Sequence, residues 1–181
     1  VVSQEIIASR VGAEILSLGG NAIDAAVATG FALAVTLPRA GNLAGGGFML
    51  IYLAKEKKTI AIDYREMAPA AAHRDMFLDA AGDVDNRLAR HSLQSSGVPG
   101  TVAGLLHAHD NYGVLELKQV MAPAIALARN GFAMSVDLAT SLDSRYDRLT
   151  RNAATQGYFY KPDGKRYKPG EQWVQADLAA T

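Results

Sequence analysis

Asp63-Tyr64-Arg65-Glu66-Met67-Ala68-Pro69 is where this chain changes period. Before it, Thr59 to Tyr64 alternates, with Ile60, Ile62 and Tyr64 on one side; after it, helical patterns take over. Alternation sends Arg65 out on the face opposite Tyr64, beside Asp63. A guanidinium at the mouth of a buried strand is costly unless something anionic meets it, and its planar fork fits a carboxylate at two points. The residues alone leave the partner open. It is either an acidic neighbour (Asp63, Glu66) or solvent, or else an anionic ligand.

Upstream, Phe48 to Leu53 is unbroken apolar, Lys55 to Lys58 is a charged turn, and Thr59 to Tyr64 returns. These two runs predict a β-hairpin. The unbroken run predicts a first strand covered on both faces. Before the hairpin lies Gly41-Asn42-Leu43-Ala44-Gly45-Gly46-Gly47. A phosphate-binding reading fails on detail, because no lysine closes the loop and a helix precedes it where a dinucleotide site needs a strand. Close backbone approach, to another chain segment or to a ligand, is the better reading of these glycines.

Two helices are expected further upstream. The first runs from Gln4 to about Leu18, with Ile7, Val11, Ile15 and Leu18 as an apolar stripe and Gly19-Gly20 as its left-handed stop. Asn21 is the natural N-cap of the second, Ala22 to about Thr36, which is apolar nearly all round and belongs inside a packed layer. Val1-Val2-Ser3 reads as the end of a strand, so the sequence is expected to start inside a longer chain.

Downstream, the patterns predict helices over His73 to Asp79, Thr101 to Tyr112, Leu117 to Arg129 (interrupted by Pro123 and ended by Gly131) and Val136 to about Thr150. Asp79 to Asn86 lacks the acidic triplet, glycine and closing glutamate of a calcium loop and reads as a polar turn. Tyr158-Phe159-Tyr160 is strand-like, Pro162-Asp163-Gly164 is a turn, and Gln175 opens a last helix. His107 and His109 sit two apart on one helix, face different ways and read as surface histidines rather than joint metal ligands.

Composition narrows the chemistry. The 181 residues suit one domain or one large piece of a domain, and the formal charge of zero gives no steering toward nucleic acid or an acidic membrane. The longest apolar stretch, Ala25 to Leu37, is too short to span a bilayer. With no cysteine, thiol nucleophiles, disulfides and thiolate metal sites are excluded. No Ser-His-Asp arrangement and no Gly-x-Ser-x-Gly elbow occurs, so no catalytic nucleophile is assigned in this chain. Nothing in the sequence calls for a cofactor or metal.

Five ordered stretches resemble the gamma-glutamyltranspeptidase family, bacterial members above all: Gly19 to Ala28, Ala40 to Leu50, Asp63 to Pro69, Gly97 to Gly104, and Ala122 to Phe132. The resemblance covers essentially the whole chain. It implies an α/β (α+β) architecture, the N-terminal-nucleophile hydrolase fold with αββα layers. This chain, residues 1–181, would be a partial single domain from the N-terminal part of the large subunit. It further implies a precursor that cuts itself into two subunits. The N-terminal threonine of the small subunit then attacks a gamma-glutamyl amide such as that of glutathione and hands the glutamyl group to water or an amine. On this resemblance Arg65 binds the substrate α-carboxylate. The partners are a small-molecule gamma-glutamyl substrate and the small subunit, and the location is periplasmic or secreted. The chain itself, lacking the threonine, is expected to be inactive. Cephalosporin-acylase relatives share much of the pattern, and a non-catalytic binding protein on the same half-fold is a third possibility.

Overall fold

The computed structural model describes residues 1–181. In chain order the elements are helices α1 (Ile6–Ser17) and α2 (Ala22–Thr36), strands β1 (Phe48–Leu53) and β2 (Lys58–Asp63), and helices α3 (Asn86–His91), α4 (Thr101–Tyr112) and α5 (Leu117–Asn130). The two-residue strand β3 (Phe132–Ala133), helices α6 (Val136–Asp143), α7 (Tyr146–Leu149) and α8 (Ala153–Phe159), strand β4 (Gln172–Trp173) and helix α9 (Ala176–Ala180) follow. The chain divides into two compact units, Val1–Asn42 with Asn111–Thr181, and Leu43–Asp110.

The first unit is helical. Ala8, Val11 and Ile15 of α1 are buried, as are Ala25, Val27, Ala28, Phe31, Ala32 and Val35 of α2. Helix α2 packs on α1 and α5, and α5 on α9. The helix starts follow local chemistry. Glu5 caps α1 by accepting from the Ala8 N–H at 2.9 Å. Asn21 caps α2 through Ile23 and Asp24, while Asp24 accepts from the Asn21 N–H in return. Asp24 is fully buried and also accepts from the Val114 N–H, and the Asn21 side chain donates to the Tyr112 carbonyl at 2.6 Å. Gly19, at φ +90°, takes the left-handed position after α1.

At the C-terminal end of this unit Trp173 is fully buried against Phe132, Tyr158, Phe159 and Tyr167. Gln175, almost fully buried, donates to the Val35 carbonyl at the end of α2 and accepts from the Tyr158 hydroxyl.

In the second unit β1 and β2 form the expected antiparallel hairpin, with Phe48 opposite Asp63 and Leu53 opposite Lys58. Its first strand is covered on one face only, not on both. Ile51 is 5% exposed, whereas Phe48, Leu50 and Tyr52 are 65%, 76% and 64% exposed. A two-stranded ladder with strict alternation sends every second side chain to the far face, and no other strand extends this sheet.

Several local expectations also change. His73 to Asp79 forms successive turns instead of a helix, and the helix of this region is α3, capped by Asp85. The turn from Asp79 is as read: its carboxylate accepts from the Ala81 and Asp83 N–H groups. Tyr158 and Phe159 close α8 and Tyr160 is its C-cap, because an Asn152 cap and packing against Trp173 outweigh the β-preference of three aromatics. The stretch Val136 to Thr150 splits into α6 and α7 at Ser144–Arg145, which brings Tyr146 edge-on against Tyr160. Helix α5 runs unbroken through Pro123, because the buried face of Val120, Ala124 and Ala128 holds it while one backbone bond is lost. Val1 to Ser3 is not a strand.

Removing the Asp24 carboxylate takes the acceptor away from the part-buried N–H groups of Asn21 and Val114 and opens the capping box of α2. A lost cap costs about 1 kcal/mol, so Asp24→Ala in the full-length protein is expected to destabilise it by about 1 kcal/mol or more. Denaturant unfolding checks this; a change under about 0.5 kcal/mol, the range of an ordinary surface substitution, refutes the role given to Asp24.

Candidate functional site

The site is built in the second unit at the exit of β2. The hairpin ladder continues one residue past Asp63: the Tyr64 N–H donates to the Gly47 carbonyl at 3.0 Å, and the Gly47 N–H to the Tyr64 carbonyl at 3.4 Å. Met67 and Val98 then exchange a pair of backbone bonds at 3.3 and 2.8 Å. The glycine-rich loop closes the third side, where the Gly45 carbonyl accepts from both the Gly100 and Thr101 N–H groups at the start of α4. Three chain segments thus meet around residues 63–67. The loop that resembles a phosphate cradle presents a carbonyl to a helix start, which is the backbone approach its sequence suggested.

The glycines are spaced to receive Tyr64. A Cβ on Gly104 would overlap Tyr64 Cβ, Cγ and Cδ1, and one on Gly100 would overlap the Tyr64 carbonyl. A Cβ on Gly47 would crowd the phenol ring, and one on Gly46 would fall 2.6 Å from both the Tyr64 carbonyl and the Glu66 nitrogen. Gly97 lies under the Glu66 side chain. Both neighbours of Arg65 therefore press into glycine surfaces, and burial pushes the Tyr64 phenol above its ordinary ionisation range.

Arg65 itself points the other way and is exposed. Asp63 Oδ1 accepts from the Arg65 backbone N–H at 3.0 Å, so this carboxylate fixes the turn at the strand exit rather than the guanidinium. Neither Asp63 nor Glu66 forms an ion pair with Arg65; the ion pairs of the chain include Arg39–Asp137, Lys161–Glu171 and Arg166–Asp143, all in the other unit. Within this chain the structural pair with Asp63 or Glu66 does not form, which leaves solvent or an anionic ligand as the partner of the guanidinium. An exposed, unpaired fork on an immobilised backbone can take a carboxylate in bidentate fashion.

Of the two histidines on α4, His107 is exposed, but His109 is buried with Nδ1 3.5 Å from Asp110 Oδ1. Reading both as surface residues was correct for one only, because Ala108 and His109 lie on the packed side of the helix with Leu105. Sequence reasoning missed the packing role of Tyr64. The signal was present in Gly100 and Gly104, which four-residue spacing puts on one helix face.

The chain matches the family model for gamma-glutamyltranspeptidase over residues 8–181. It is 49% identical over 179 residues to the glutathione hydrolase proenzyme of Escherichia coli (strain K12), covering 99% of this chain and 31% of that protein. It is 36% identical over 187 residues to the acylase ACY 1 proenzyme of Pseudomonas sp. (strain SE83), covering 100% of this chain and 33% of that one. The crystal structure of Helicobacter pylori gamma-glutamyltranspeptidase superposes with a TM-score of 0.95 at 45% identity, over 99% of this chain and 51% of that one. The chain thus spans about a third of the length of the curated relatives it matches. The shared architecture is the N-terminal-nucleophile hydrolase fold, of which these residues form a part.

Because burial holds the Tyr64 phenol neutral, its contribution to stability is full below the unfolded-state value of about 10 and is lost as pH rises through the higher folded-state value. Tyr64→Phe in the full-length protein is therefore expected to lose less stability than wild type between pH 9 and 11.5, measured by denaturant unfolding across that range. Parallel curves for the two proteins would show that Tyr64 is not desolvated.

Proposed function

Because this chain belongs to the gamma-glutamyltranspeptidase family, we propose that it is the substrate-anchoring part of an enzyme that cleaves gamma-glutamyl amides and passes the glutamyl group to water or an amine acceptor. The observation that carries the reading is Arg65, an unpaired guanidinium on a backbone held between Tyr64 and Glu66; the stretch around it resembles the one in which the family carries its carboxylate-binding arginine. The substrate is glutathione-like, and its α-carboxylate docks in the fork while the amide reaches the nucleophile. The nucleophile is a threonine at the new N-terminus of a small subunit cut from the same precursor. Its hydroxyl adds to the gamma-carbonyl, the amine leaves with a proton, and water or an acceptor amine then opens the ester.

No cofactor enters this scheme. No helix of the chain is long and apolar enough to cross a membrane; family membership is what supports a periplasmic or secreted location. The match to an acylase supports a second reading, the same fold acting on another acyl group. Arg65 favours the first, since it suits a substrate with a free carboxylate, and a screen of gamma-glutamyl against other acyl chromogenic substrates separates the two.

Two outcomes are expected. The 181-residue chain alone releases no chromophore from a gamma-glutamyl anilide, since no acyl-enzyme forms without the threonine; release well above a blank would overturn this. In the full-length processed enzyme, Arg65→Lys keeps the charge, loses the fork and raises KM roughly tenfold to hundredfold, a charge-assisted bond contributing about 1.5–3 kcal/mol. Arg65→Ala costs more with carboxylate-bearing substrates and abolishes their advantage over matched substrates without the α-carboxylate. If kcat/KM falls equally for both substrates, or for neither, Arg65 does not read the carboxylate.

A further inference from the structure

We infer that Tyr64 is the positioning residue for Arg65, wedged against Gly104 of α4 and Gly100 just before it so that the helix sets where the guanidinium starts; this rests on the carboxylate-reading role proposed for Arg65. The atoms of Tyr64 that fill the place of a Gly104 side chain are Cβ, Cγ and Cδ1, those nearest its backbone. Turning the ring about Cβ–Cγ moves Cδ1 but neither Cβ nor Cγ, and Cβ is fixed to the backbone, so a Cβ added at Gly104 must move the backbone of residue 64, and Arg65 with it. At Gly100 the contact is with the Tyr64 carbonyl itself.

The rest of the setting turns such a shift into a displacement of Arg65. The Tyr64 N–H and carbonyl are tied to Gly47, the Arg65 N–H to Asp63, and Met67 to Val98. Movement at residue 64 is thus absorbed between two fixed points, within the three residues that contain the arginine. A displacement near 1 Å in a binding site costs on the order of a hundredfold in activity, so a small backbone shift is a large functional one. Gly104 is buried inside a helix with an ordinary backbone conformation, where alanine is by itself the better helix former. A loss on Gly104→Ala therefore reports the contact with Tyr64, not helix propensity.

The test uses the full-length processed enzyme and two matched donors, one with and one without the α-carboxylate. Gly104→Ala and Tyr64→Ala are each expected to raise KM for the carboxylate-bearing donor at least tenfold, with kcat changed less than threefold, and to leave KM for the other donor near wild type. Tyr64→Phe keeps the wedge and restores the discrimination that Tyr64→Ala loses. In the double variant the effects multiply to less than the product of the single ones, because Tyr64→Ala removes two of the three overlapping atoms. If Gly104→Ala and Tyr64→Ala lower kcat/KM equally for both donors while Arg65→Ala acts on the carboxylate-bearing donor alone, Tyr64 is structural only and the inference fails by itself. If Arg65→Ala also leaves the discrimination unchanged, the carboxylate reading of Arg65 fails and takes this inference with it.

Discussion

The contact of Tyr64 with two glycines, its side chain on Gly104 of α4 and its carbonyl on Gly100 just before that helix, is the constraint on which the second unit depends. It is a contact that only hydrogen in place of a side chain at these two positions permits. With it in place the strand exit lies directly on the first turn of α4, and the Gly45 carbonyl can cap that turn through the Gly100 and Thr101 N–H groups. The hairpin, the glycine-rich loop and the helix are thereby joined by backbone bonds with little apolar burial. This suits a hairpin with one largely exposed face, on which Phe48, Leu50 and Tyr52 supply little packing in this chain.

Arg65 gains its character from what its neighbours do. Tyr64 and Glu66 point toward glycines, and period-two alternation leaves Arg65 on the open side. Asp63, which could have neutralised it, accepts from a backbone N–H instead. A guanidinium held in this way keeps its desolvation cost low while free and its full donor set available for a carboxylate. A backbone tied at Gly47, Asp63 and Val98 beneath an unpaired head group would lower the ordering cost of the carboxylate binding proposed for Arg65.

The first unit is held by different means. Its helices bury small and branched residues in contact, and polar groups appear inside only where each is satisfied: Asp24 by the N–H groups of Asn21 and Val114, and Gln175 by Val35 and Tyr158. Trp173 and its ring of aromatics add large apolar area near the C-terminal end, where the elements are too short to be stable alone.

Long periodic segments were legible from the sequence because their own chemistry decides them. Asn21 followed by an all-round apolar run fixed α2 to the residue, the glycine stop and the hairpin were placed correctly, and the ordered motifs fixed the family. Short segments were not, because their local preference is weak beside a tertiary contact. Three aromatics at 158–160 favour a strand until Trp173 gathers them onto a helix end, and Val136 to Thr150 reads as one helix until Tyr146 meets Tyr160. The same reason governs the site. The sequence put an arginine at a strand end with two acids beside it, but which acid, if either, would neutralise it depended on backbone geometry. Only the tertiary structure set Tyr64 against Gly100 and Gly104, between segments some forty residues apart in sequence, and turned Asp63 to the Arg65 backbone N–H with no ion pair on the guanidinium.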